Sequence, residues 1–300
     1  MTGVQTCALP ILDFYLTTVT LGLCYAALAL GIYISMKIFN IPDITTDGSY
    51  TLGGAVTGVM LTHHQSPYII LPAVIISGGI AGALTGLIHT KLKINALLAG
   101  ILVMTALFSV NLTIMGRSNI PLSNLPSLFS SIQIVADGNQ NTFWILVILV
   151  ALITFLIGYL LKTDFGIAMR ATGNSESMVR ALGVNTDRMK ITGLALANAL
   201  TALSGYFFVQ SQDFADINMG IGIVIVGLGS VIIAESLINW LRITSVWLSL
   251  ILVLGGAVVF QLVLAITLAI GVDPNMLKIV TAVFVLLIVS LPRLSSLRSS

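Results

Sequence analysis

The sequence predicts an all-α fold, a polytopic transmembrane helix bundle of about nine spans built as an inverted internal repeat. Three observations carry this. Apolar stretches near the ~20 residues that cross a ~30 Å hydrocarbon core recur from one end of the chain to the other. Only 8% of the 300 residues are charged and 57% are hydrophobic, against roughly 25% charged in a soluble domain. So few charges cannot cover a water-facing surface, and lipid is the solvent for most of the chain. Lastly, prolines and basic residues mark the breaks in one consistent pattern.

The spans fall at 13–36, 41–63, 67–90, 94–115, 142–161, 191–212, 215–235, 244–270 and 274–292. Pro42, Pro67, Pro274 and Pro292 stand at segment edges, where a missing N–H costs least. Two longer polar stretches interrupt the pattern. Residues 116–141 are rich in Ser, Asn, Pro and Gly, with Arg117 as the one basic residue. Residues 162–190 hold Lys162, Arg170, Arg180, Arg188 and Lys190. Cytoplasmic loops are enriched in Lys and Arg, so 162–190 is placed inside and 116–141 outside. Nine spans then put the N-terminus outside and the C-terminus in the cytoplasm. Lys37, Lys91, Lys93, Arg242, Arg293 and Arg298 also fall inside; only Arg117 and Lys278 fall outside.

The chain divides accordingly into repeat A (12–115), the outer loop, a connector span (142–161), the inner loop, repeat B (191–292) and a cytoplasmic tail (293–300). Residues 1–11 read unlike the rest, as a non-native leader, and no cleavable signal is evident. The repeat rests on short matches. Gly22-Leu23 precedes Asp43-Ile44 much as Gly193-Leu194 precedes Asp216-Ile217, and Ile94-Asn95-Ala96-Leu97 resembles Pro274-Asn275-Met276-Leu277. Spans 1–4 map onto spans 6–9. An odd offset of five spans inverts one half relative to the other, an arrangement that puts a substrate path between the halves.

Three polar constellations could carry function. The first is Ile41-Pro42-Asp43-Ile44-Thr45-Thr46-Asp47-Gly48-Ser49, at the start of an otherwise apolar span. Intramembrane carboxylates face cavities or bundle interiors, so Asp43, Thr45, Thr46, Asp47 and Ser49 are expected on a discontinuous helix lining a path. The plainer reading is a helix N-cap at the interface; both can hold. The second is Gln210 to Gly222, where Asp216 and Asn218 form either the opposite wall of the path or an outer turn with small-residue packing. Third comes Thr163 to Val184. Asn174 is expected as an N-cap and Glu176 as a first-turn anion paired with Arg180 at i,i+4. Gly183 is expected as the C′ residue. The product is a short helix, 175–182, projecting Met178, Val179 and Leu182. It suits docking into a partner's groove or lying on the membrane surface.

Other features exclude more than they assign. Net charge is +2, giving no reason to expect nucleic acid. Cys7 and Cys24 form no disulfide framework or metal site, and Asp43 with Asp47 lack further ligands. His63, His64 and His89 lie near segment ends; Trp144, Trp240 and Trp247 fit interfacial anchors. Arg170 and Arg180 could meet anionic membrane lipid. There is no Gly-Lys dipeptide and hence no Walker loop. Zinc-protease and serine-hydrolase motifs are missing too, so no enzyme is expected.

The 41–49 stretch and the Arg170–Asn174 and Arg180–Val184 stretches resemble the permeases of the branched-chain amino acid and ribose ABC importer superfamily, and within it the tryptophan/tyrosine-type permeases of bacteria. The likeness covers about residues 12–295. It implies that Arg170, Asn174, Glu176, Arg180 and Gly183 belong to a cytoplasmic coupling segment contacting an ATPase subunit. It implies two permease copies, two ATPases that use ATP and Mg, an extracytoplasmic solute-binding protein, a small solute such as an amino acid, and the bacterial inner membrane. No cofactor is expected on this chain itself. A secondary transporter driven by an ion gradient is the alternative, and it would want ionisable residues deep within spans.

Overall fold

The computed structural model describes residues 5–123, 125–273 and 276–297. Met1 to Val4 of the expected leader, Pro274-Asn275 of the repeat and Arg298 of the tail lie outside the described residues, as does the side chain of Arg293. The chain is helical almost throughout. Helices α1 (Gln5–Cys24) and α2 (Ala26–Ile32) form one rod, broken at Tyr25, that continues as a π-helical stretch, Tyr33–Ile38. Then come α3 (Thr45–Thr62), α4 (Pro67–Lys91) and α5 (Ala96–Met115). Strand β1 (Asn119–Pro121) and α6 (Leu128–Ser131) lead to α7 (Gly138–Lys162), α8 (Asp164–Asn174) and α9 (Glu176–Ala181). The second half is α10 (Thr186–Gln212), β2 (Phe214–Asp216), α11 (Ile223–Trp240), α12 (Val246–Ala269) and α13 (Leu277–Leu297).

Among the described residues, seven segments are long and apolar enough to cross a membrane: Asp13–Ile38 and helices α4, α5, α7, α10, α11 and α12. This is a multi-pass membrane protein. The other two expected spans fall on α3 and α13. Thr45, Thr46, Asp47 and Ser49 make the start of α3 polar, and the apolar run of α13 is Leu277–Ile288. The seventh span begins later than expected, at Ile223 rather than 215. Asp216 Oδ1 accepts the N–H of Asn218 at 2.8 Å, a local turn that competes with helix. Gly222, at φ +84, holds the left-handed conformation that ends the irregular stretch.

Helix α10 is the most buried of these spans, with 72% of its most apolar stretch inside the protein. Helix α4 lies along it through Gly78, Gly82 and Gly86, a row spaced by four residues. A Cβ at Gly82 would overlap the Leu194 carbonyl, and one at Gly53 of α3 would overlap that of Ala202. Without side chains between them, the backbones approach closely enough for packing to hold the helices.

The repeat is visible in the architecture. Helix α2 packs on α11 and α12 as α10 packs on α3 and α4. Helix α3 packs on α4 and α5 as α11 packs on α12 and α13. Left-handed residues recur at matching places: Asn40 and Asp213 three before the paired aspartates, His64 and Arg242 after α3 and α11, Lys93 and Gly271 after α4 and α12. Asp43, like Asp216, accepts the N–H two residues on. The two halves run in opposite senses. Ala215 lies beside Gly58, Val224 bonds Asp47, and Glu235 pairs with Lys37, so the second motif descends while α3 ascends. At one end β1 pairs antiparallel with β2, Ile120 opposite Ala215. The other end carries the Lys37–Glu235 and Lys91–Asp187 ion pairs.

Candidate functional site

Both halves begin their second helix inside the bundle. Residues 39–44 lead irregularly into α3, and residues 213–222 lead into α11 alongside α3 from Gly58 to Asp47. Eleven residues of α3 span about 16 Å at 1.5 Å per residue. Helix α11 therefore starts well below the end of the bundle where β2 lies.

Asp43 is 3% exposed. Its Oδ1 accepts the Thr45 N–H at 2.9 Å, and its Oδ2 accepts Asn198 Nδ2 of α10 at 2.6 Å. Ser49 donates to Asn198 Oδ1 at 2.7 Å, and Thr45 shares a 2.8 Å hydroxyl hydrogen bond with Thr85 of α4. Thr46 donates to the Asp43 carbonyl. Asn198 thus joins Asp43 to Ser49 across the seam between the halves. Burial of these groups is tolerable because each finds a partner.

Asp47 does something different. Its Oδ2 accepts the Gly222 N–H and its Oδ1 the Val224 N–H, both at 2.9 Å. These are open donors at the start of α11, where the helix dipole favours an anion. A side chain of repeat A therefore caps the second helix of repeat B. Beside it lies a cavity of about 430 Å³, bounded by α3, α5 and the 217–221 segment. Asp47 lines it; Asp43, Thr45, Thr46 and Ser49 do not. Asp216 sits at the β1–β2 ladder, accepting Asn119 Nδ2 at 3.3 Å, and Asn218 is exposed beyond it.

The basic loop folds as two helices. Asn174 is the last residue of α8 and not an N-cap; extended Ser175 (φ −153) precedes Glu176. Gly183, at φ +85, takes the left-handed position expected of it, and the Val184 N–H returns to the Val179 carbonyl at 3.3 Å. Of the three apolar side chains expected to project, Val179 is 5% exposed and anchors α9 inward. Met178 and Leu182 are 64% and 72% exposed. Arg170 and Asn174 are exposed on α8.

The inward face of α9 is tied by charge. Glu176 accepts Arg180 Nη2 at 3.1 Å, Thr186 Oγ1 at 3.2 Å and Lys190 Nζ at 2.6 Å. Arg180 also reaches Asp187 at 3.0 Å, and Asp187 meets Lys91 at 3.7 Å. The Lys190 hydrogen bond holds the Glu176 carboxyl below the usual carboxylate range, against its partial burial and with help from Thr186 and Arg180. Gly173 rests on the Ile38 carbonyl with no room for a Cβ, and Asn40 Nδ2 donates to the Gly173 carbonyl at 3.1 Å. The end of α8 is thereby joined to the segment three residues before Asp43.

Sequence reasoning missed Asn198, Thr85 and Asn111. The first and last are lone amides inside apolar spans, a signal that points to interhelical hydrogen bonding. Among the described residues no group of His, Cys, Asp and Glu could hold a metal ion.

The sequence is similar to those of known membrane permeases. The chain is 35% identical over 271 residues to the tyrosine transport system permease protein of Clostridioides difficile, covering 90% of this chain and 88% of the relative. It is 33% identical over 273 residues to an uncharacterised protein of Rickettsia prowazekii, covering 91% and 95%. It is 25% identical over 212 residues to the ribose import permease protein of Haemophilus influenzae, covering 69% and 64%. The family model described as branched-chain amino acid transport system / permease component matches residues 14–290, and the chain belongs to that family of membrane-spanning permeases.

Proposed function

We propose that this chain is the membrane-spanning subunit of an ATP-driven importer in the bacterial inner membrane, passing an amino acid, aromatic by analogy with the tyrosine permease, along a path between its inverted halves. Its N-terminus lies outside and its C-terminus in the cytoplasm, following the distribution of Lys and Arg. A separate ATPase binds ATP and Mg, since the sequence has no phosphate-binding loop of its own. Two permease copies work with two ATPases and an extracytoplasmic solute-binding protein, which docks on the outer face including 116–141. Alternating access follows when ATP closes the ATPase pair, drags α9 and rocks the halves.

The observation that carries this reading is the form of α9. Exposed Met178 and Leu182 stand on a helix fixed behind by Glu176, Arg180, Asp187 and Lys190. Paired apolar side chains on a rigid mount suit insertion into a partner's groove. The Gly173–Ile38 contact then carries motion from that mount to the start of α3.

The test is a mild-detergent capture of the tagged chain from its native membranes, with mass spectrometry of what accompanies it. A stoichiometric ATPase, lost when 175–182 is scrambled, is the expected result. A chain that purifies alone and takes up solute on an ion gradient overturns the proposal in favour of a secondary transporter.

A further inference from the structure

We propose that the cavity between α3, α5 and residues 217–221 is a solute subsite for an organic ammonium group carried on an apolar or aromatic body. This rests on the permease reading above and adds to it the chemistry of recognition. The wall of the cavity offers acceptors. Among the described residues, Asp47 brings the one charge and no Lys or Arg lines the space. Its two oxygens each accept a single backbone N–H, which leaves lone pairs for a further donor. Thr51 and Thr105 spend their protons on carbonyls of their own helices, at 3.1 and 2.8 Å, so their oxygens are left to accept. Asn111, fully buried in the wall, gives Nδ2 to the Gly48 carbonyl at 3.1 Å, while its Oδ1 has no hydrogen-bond partner.

Ser109 also lines the space and can donate or accept, so the selection rests on the Asp47 carboxylate, which favours a cation. An anion would meet the Asp47 charge with nothing to offset it. Apart from Ser109, the remaining side chains are apolar: Met104, Phe108, Ile217 and Ile221. Phe108 is 44% exposed, and its face attracts an ammonium as well as packing against an apolar body. About 430 Å³ lies within the range of small-molecule sites. Gly220 brings the loop against α3, since a Cβ there would overlap the Asp47 carbonyl and Thr51 Oγ1. The site joins both halves, because the carboxylate that meets the solute also caps α11.

The experiment uses membranes carrying the full complex, with Thr105→Cys in a chain bearing Cys7→Ser and Cys24→Ser. The rate of modification by a cationic and by an anionic methanethiosulfonate reagent is measured. The cationic reagent is expected to react faster, and millimolar tyramine to slow modification about tenfold, equivalent to about 1.4 kcal/mol of occupancy. The deaminated analogue 3-(4-hydroxyphenyl)propanoate should not protect. Asp47→Asn should abolish both preferences. Phe108→Ala, which leaves the cap intact, should weaken protection while the charge preference remains. Absence of labelling, no protection by tyramine, or equal protection by the two analogues overturns the subsite. Capture of the ATPase from the same membranes is read in parallel. Its loss sinks the permease reading, whereas capture retained without protection sinks the subsite alone.

Discussion

Asp47 accepts the backbone N–H of Val224 at 2.9 Å, so that a carboxylate of the first repeat caps α11, the second helix of the second repeat. The same carboxylate takes the N–H of Gly222. Removal of a side chain that caps a helix costs about 0.5–2 kcal/mol. Asp47→Ala is expected at the upper end of that range, because two donors lose their partner inside the bundle. Asp47→Asn keeps one acceptor and should cost less. Thermal unfolding of the purified chain in detergent orders the three proteins. An Ala variant as stable as wild type would show that α11 does not depend on this cap.

The Asp43–Asn198 bond makes a second prediction. Asn198→Ala leaves a buried carboxylate without its Asn198 hydrogen bond, and loss of one partner of a buried charged hydrogen bond costs about 2–3 kcal/mol or more. Asp43→Ala together with Asn198→Ala should be less damaging than the two single costs added, since neither group is then stranded. Additive costs in a double-mutant cycle would mean that the bond carries no coupling between α3 and α10.

The origin of these contacts explains what could be read in advance. Periodic apolar stretches, edge prolines and the Lys and Arg pattern made the helices legible, since lipid permits few alternatives. The repeat was legible from Asp43-Ile44 and Asp216-Ile217, because each aspartate makes the same local turn. Which neighbour each aspartate faces was not legible. Asp43, just before α3, and Asp47, in its first turn, are four residues apart, yet one is sealed against α10 and the other faces the cavity. Only tertiary packing decides which side of α3 meets α10. Asn174 misled for a related reason: it has a capping side chain, but Thr163 already starts a helix at Asp164, and that helix runs through to Asn174.

Close helix contact makes a third prediction. Gly53 of α3 faces the Ala202 carbonyl of α10, with no space for a Cβ. Gly53→Val must push the helices apart or distort them, and overpacking a dense interior costs about 1–3 kcal/mol. Gly255 has open space around its Cβ position, so Gly255→Ala should be neutral or mildly stabilising. The comparison needs only melting temperatures of the two variants, and equal melting would contradict close packing at the α3–α10 seam.

The charge network behind α9 responds to pH in a definite sense. Glu176 has its folded pKa lowered below the ordinary value of 4.5, chiefly by Lys190. Its contribution is therefore present above 4.5 and is lost as pH falls through the lowered folded value. Amide hydrogen exchange in 176–190 should rise on acidification through that window and stay flat between neutral pH and pH 5. Added salt should weaken the exposed Arg180 arms more than the Lys190 bond, whose ammonium is largely shielded. Glu176→Gln with Arg180→Gln should flatten the acid response and uncouple ATP hydrolysis from uptake.

Met178 and Leu182 should carry the docking energy. Both are exposed, neither supports the fold, and Val179 beside them does. Met178→Asp with Leu182→Asp places two charges where an apolar groove would close, and truncation at a docking hot spot costs about 2 kcal/mol or more. Capture of the ATPase should fall about thirtyfold or further. Unfolding of the chain alone should change little, as surface substitutions away from the core stay within about 0.5 kcal/mol. Val179→Asp should do the reverse, unseating α9 and lowering stability before any partner is present. If the double variant still captures the ATPase while Val179→Asp melts like wild type, α9 is neither the mount nor the contact.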